Sequence, residues 1–99
     1  MASTPETAVK TKIKKYLASE GIYYFCPIGG PYSVKGVPDI VCCVRGQFVG
    51  IEVKAPGKEN TLTHNQAMHI SLIKGNGGVA FVASSLDDVI DQLVNHGLV

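Results

Sequence analysis

The chain has 99 residues, of which 45% are hydrophobic and 17% charged, and carries a formal net charge of +1. That length suits one compact domain over residues 1–99 with no room for a separate recognition domain, and the composition excludes a disordered or low-complexity chain. No run approaches the ~18 apolar residues of a membrane span and the N-terminal segment has no apolar signal core, so the expectation is a cytoplasmic protein with no membrane partner.

In chain order, Thr4-Pro5-Glu6 reads as a helix start, with threonine as N-cap, proline at the first helical position and an acid in the first turn. Val9, Ile13, Tyr16 and Leu17 follow at helical spacing, and Gly21 stops the helix. Residues 22–28 read as a strand, followed by the loop signal Gly29-Gly30-Pro31. Two β-rich runs, 38–44 and 48–54, are joined through Arg45-Gly46-Gln47, which predicts a hairpin ended by Ala55-Pro56-Gly57. Thr63 with Gln66 has capping-box spacing and opens a helix with Ala67, Ile70 and Ile73 on one side, closing near Gly75. Residues 78–83 form an apolar strand. Ser85 with Asp88 caps a last helix, which turns Leu86, Val89 and Leu93 inward and ends near Gly97.

The order helix, three strands, helix, strand, helix, with central strands apolar on both faces, predicts an α/β fold whose sheet is covered by helices on each side. Cys42 and Cys43 are neighbours in a strand and so point to opposite faces; with Cys26 they are reduced packing residues, since no CxxC or Cys/His spacing accompanies them. Charge is unevenly divided. Residues 1–58 carry eight basic side chains against four acids, a balance of +4, whereas 59–99 carry Lys74 against four acids, a balance of −3. One nucleic-acid-facing side accounts for this; a solvated lysine-rich helix face is the other reading.

The chemistry concentrates in the hairpin. A two-residue turn at Arg45-Gly46 pairs Val44 with Gln47, Cys43 with Phe48, Val41 with Gly50 and finally Asp39 with Glu52. Opposed carboxylates have Cβ atoms ~4.5–5.5 Å apart and repel unless a cation neutralises them. Glu52 and Lys54, two apart, share a face whatever the register. Hard carboxylate oxygens hold Mg²⁺ or Mn²⁺, and a neighbouring ammonium orients water or stabilises transition-state charge, which is the equipment for hydrolysing a phosphodiester. The alternative is a strand-edge Glu–Lys pair beside an unrelated turn aspartate.

The whole pattern weighs for the first reading. Gly36-Val37-Pro38-Asp39, then Gly50-Ile51-Glu52-Val53-Lys54 thirteen residues after the aspartate, resembles the PD-(D/E)xK nuclease motif. With Thr63-His64-Asn65-Gln66 downstream it is similar to the VRR-NUC branch of that superfamily, the virus-type replication and repair nuclease module. The resemblance runs from Glu6 through the final helix. It implies a restriction-endonuclease-like αβββαβ core with a C-terminal helix and a mixed sheet. It further implies a Mg²⁺ or Mn²⁺ site at Asp39 and Glu52 with the Val53 carbonyl contributing, and Lys54 as the catalytic lysine.

The resemblance also draws in a first-helix glutamate as a metal ligand. Glu6 stands on the stripe of Val9 and Ile13; a simple dipole role at an exposed first turn competes with that assignment. Gln66 has two readings, an active-site residue holding Lys54 or water and a capping-box partner of Thr63. Lys35, Lys12 and Lys15 are candidates for phosphate contact, against solvated lysines. The function so implied is a metal-dependent, structure-specific DNA endonuclease of phage or bacterial type, a Holliday-junction resolvase acting as a homodimer on branched DNA and using no nucleotide cofactor. A flap or nicking endonuclease of the same chemistry, or a non-catalytic DNA-binding module on the same fold, are the alternatives. Gly21-Ile22-Tyr23 has no companion YIG segment, and His64, His69 and His96 form no HExxH pattern.

Overall fold

A computed structural model describes residues 4–99. Helix α1 (Pro5–Ser19) is followed by strands β1 (Tyr23–Phe25), β2 (Ile40–Val44) and β3 (Gln47–Val53), helix α2 (His64–Gly75), strand β4 (Val79–Ala83) and helix α3 (Leu86–Asn95). The four strands form one sheet in the order β1-β2-β3-β4, antiparallel except for the parallel β3–β4 pair that α2 connects. Among the described residues no helix is long and apolar enough to cross a membrane.

Local signals set the helix ends. The Thr4 hydroxyl accepts the Thr7 N–H at 3.1 Å, and Pro5 takes the first helical position. All three helices close through a glycine at positive φ: Gly21, Gly77 and Gly97. The next N–H then reaches back into the last turn, from Ile22 to the Leu17 carbonyl, Gly78 to Ile73 and Leu98 to Leu93. The stop of α2 is thus Gly77, and Gly75 lies inside the helix.

Alternation along the strands divides the sheet. Ile40, Cys42 and Val44 of β2, Val49, Ile51 and Val53 of β3, and Val79, Phe81 and Ala83 of β4 all face one side, where Ile13 and Leu17 of α1 and Val89 and Leu93 of α3 close the core. The opposite side carries Val41, Cys43, Phe48, Gly50 and Glu52 under α2. Helices do cover both sides, but unequally. Cys42 is buried and Cys43 exposed, as their opposite directions require.

The first strand departs from expectation. It is three residues long, not seven, because Pro27 has no N–H to donate to a ladder and Gly29-Gly30 follow. Helix α2 has no fully buried residue: Ile70 and Ile73 are half-buried, while Ala67 is exposed. One helix lying on an open sheet face has too few neighbours to enclose its apolar stripe.

The hairpin register matches the two-residue turn. Val44 pairs with Gln47, Cys43 with Phe48 and Ile40 with Ile51. Arg45 and Gly46 both take positive φ, at 52° and 81°. That pair of left-handed residues matches the twist of the flanking strands and fixes the alignment.

Candidate active site

Asp39 stands at the open end of the hairpin, immediately before β2, and the backbone around it is tightly held. Gly36 has φ +90°, and a Cβ there would lie 2.5 Å from the Asn65 carbonyl carbon in the first turn of α2. Only glycine permits both the left-handed backbone and that approach. Pro38 is buried over Gly50, where an added Cβ would meet its Cγ at 2.9 Å and Ile73 Cδ1 at 3.1 Å. The glycines and proline flanking the motif aspartate are therefore packing devices that set where its carboxylate goes.

That carboxylate is divided between two partners. Oδ2 accepts the Val53 N–H at 2.9 Å, extending the β2–β3 ladder by a side chain in place of a carbonyl. Oδ1 lies 3.6 Å from the Lys10 ammonium. Glu52, opposite, is only 3% exposed. Burial above all, then the adjoining Asp39 carboxylate, pushes its pKa up to about 8 from an ordinary 4.5; the charge of Glu6 adds to the rise and Lys54 opposes it. Two acids are thus held side by side, and it is the buried one, Glu52, whose charged form is disfavoured.

Gln66 bridges the remaining groups. Its Oε1 accepts from Lys54 Nζ at 3.0 Å and from the Thr63 N–H at 3.0 Å, while its Nε2 donates to Glu52 Oε2 at 3.2 Å. The Thr63 hydroxyl completes the capping box by accepting the Gln66 N–H at 3.1 Å. The two readings of Gln66 are thus compatible: one amide caps α2 and ties Lys54 to Glu52.

The structure brings Asp39, Glu52, Val53, Lys54 and Gln66 together. Glu6 is half-buried on α1 and its charge reaches Glu52, but among the described residues no three His, Cys, Asp or Glu side chains cluster as a cation cage. Lys35 and Lys15 are exposed away from these contacts. Lys12 lines a ~440 Å³ groove with Ser84, Ser85 and Asp87 at the start of α3. Sequence reasoning missed Lys10, although its spacing of four from Glu6 places both on one face of α1.

The donor chemistry suits a hard divalent cation. A buried carboxyl beside a second carboxylate is stabilised by an ion of opposite charge, and oxygen-only donors favour Mg²⁺ or Mn²⁺.

No family model and no curated protein matches the sequence. A solved structure described as a VRR_NUC domain is similar to this chain, with a TM-score of 0.71 and 25% identity, over 95% of this chain and 98% of its own. The mixed four-stranded sheet with its three helices is an α/β fold of the PD-(D/E)xK type. With the shared fold spanning nearly all of both chains and the motif residues gathered at one end of the hairpin, this chain has the fold of a VRR-NUC nuclease domain.

Proposed function

We propose that the chain is a Mg²⁺- or Mn²⁺-dependent endonuclease that cuts branched DNA in the cytoplasm, four-way junctions in particular. The observation that carries the chemistry is the buried Glu52 carboxyl beside Asp39, with Lys54 tied to the same group through Gln66. Asp39 and Glu52 would hold the ion, with the Val53 carbonyl and Glu6 as further oxygen donors. When bound, the ion polarises the phosphate and makes water acidic at neutral pH.

The chain's own residues do the rest. The Val53 N–H fixes the Asp39 carboxylate in the hairpin ladder, so its direction is set by strand register. Gln66 holds Lys54 Nζ next to Glu52, where the ammonium donates to the attacking water or to a phosphate oxygen as charge develops. Lys35, Lys12 and Lys15 contribute backbone contacts farther from the scissile bond.

One constellation per chain cuts one strand, whereas resolving a four-way junction needs matched cuts in two. A twofold homodimer supplies both. Support for a second copy comes from the cross-strand row Tyr23–Cys43–Phe48, whose aromatic members are 72% and 47% exposed. Phe48 also borders a ~290 Å³ apolar hollow with Leu72 and Ile73.

The test is a cleavage panel of four-way, flap, nicked and linear duplex DNA, with Mg²⁺, Mn²⁺, Ca²⁺ or chelator, on wild type and Asp39→Ala. Four-way DNA should be cut fastest, only with Mg²⁺ or Mn²⁺, and not by the variant. Cleavage in chelator, or wild-type rates from Asp39→Ala, refutes the site; flap cutting with intact four-way DNA refutes the resolvase assignment alone.

A further inference from the structure

Lys10 has no place in the motif, yet its ammonium faces Asp39 Oδ1, the carboxylate oxygen that accepts no backbone hydrogen bond. Oδ2 is committed to the Val53 N–H at 2.9 Å, and Oδ1 faces Lys10 Nζ at 3.6 Å. The other nearby ammonium, that of Lys54, is engaged by Gln66 at 3.0 Å. Lys10 and Asp39 side chains are 29% and 25% exposed, so the pair is partly desolvated but reachable from solvent. A lysine is a compact charge on a flexible four-carbon stem, able to leave without disturbing the helix that carries it.

We propose that Lys10 is a resident counter-ion that competes with a divalent cation for Asp39 Oδ1 and so sets the metal concentration at which the site loads. The inference rests on Asp39 and Glu52 being the metal site. In the ion's absence Lys10 offsets part of the carboxylate repulsion. Loading through Oδ1 exchanges the ammonium for the ion, and the ion's apparent affinity is reduced by whatever the pair contributes. For a partly exposed pair that is about fivefold, equivalent to ~1 kcal/mol. The released ammonium remains tethered to α1, one turn beyond Glu6, at the edge of the site.

Calorimetric titration of Mn²⁺ into wild type, Lys10→Met, Lys10→Arg and Asp39→Asn measures the competition without any cleavage. The Mn²⁺ concentration giving half the rise in melting temperature provides a second readout. Lys10→Met, which keeps the stem and removes the charge, should bind Mn²⁺ about fivefold more tightly. Lys10→Arg should stay near wild type, and Asp39→Asn should bind weakly or not at all. Unchanged or weaker binding by Lys10→Met, alongside loss in Asp39→Asn, overturns the role of Lys10 and leaves the metal site standing. Absence of binding in wild type and Lys10→Met alike overturns both.

Discussion

Gln66→Ala removes three contacts at once, and a neighbouring substitution separates their effects. The amide gives one hydrogen bond to the Thr63 N–H, one to Lys54 and one to the buried Glu52. Losing the cap contact costs ~0.5–1 kcal/mol, and leaving the buried carboxyl group short of a donor adds ~1 kcal/mol or more. About 2 kcal/mol in a domain of this size lowers the melting temperature by roughly 10 °C. Thr63→Ala removes the other half of the capping box, the 3.1 Å bond to the Gln66 N–H, and touches neither Lys54 nor Glu52. It should cost ~1 kcal/mol. Melting curves and single-turnover cleavage, measured well below both melting points, give the comparison. Gln66→Ala should cut slower by about 10- to 100-fold, as is usual when the group orienting an active-site residue is removed, while Thr63→Ala keeps its rate. If Gln66→Ala melts like Thr63→Ala and cuts like wild type, Gln66 is a helix cap and nothing more.

Gly36→Ala should destabilise by more than ~2 kcal/mol, because φ +90° and the 2.5 Å approach to Asn65 both reject a Cβ; a denaturant midpoint near wild type would mean the loop can withdraw from α2. In chelator, folded Glu52 binds its proton up to about pH 8 but the unfolded chain only to about 4.5, so stability should fall as pH rises through that window. The decline should amount to about 2–4 kcal/mol and vanish in Glu52→Gln; equal slopes in the two proteins would show that Glu52 is not the titrating group. Phe48→Asp should give a monomer by light scattering and lose paired cutting of four-way DNA, and an unchanged dimer mass would place the interface elsewhere.

What the sequence made legible was the part written in local rules. The hairpin register followed from Arg45-Gly46, because a two-residue turn of left-handed residues leaves one alignment, and that alignment set Asp39 toward Glu52. Helix caps at Thr4, Thr63 and Ser85 were readable for the same reason. The unequal coverage of the sheet was not. Periodicity says that Ala67, Ile70 and Ile73 share a side of α2, but how deeply they are covered depends on how many helices lie beside them. Lys10 escaped because its partner is 29 residues away in sequence, and the lysine pattern of α1 resembles any solvated face. The double duty of Gln66 was invisible until both its oxygen and its nitrogen had positions.

The alternation that buries Cys42 and exposes Cys43 gives the protein a built-in chemical probe. Burial, aided by the adjoining Cys43, pushes the Cys42 thiol up to about 11, and its place in the core withholds it from reagents; Cys26 is half-buried. Alkylation should therefore begin at Cys43, in the middle of the Tyr23–Phe48 row and four residues along the strand from Asp39, roughly 13 Å away. A spectroscopic tag placed there needs no engineered cysteine. Its protection would report coverage of the sheet face, and its distance to a paramagnetic Mn²⁺ would report occupancy of the carboxylates.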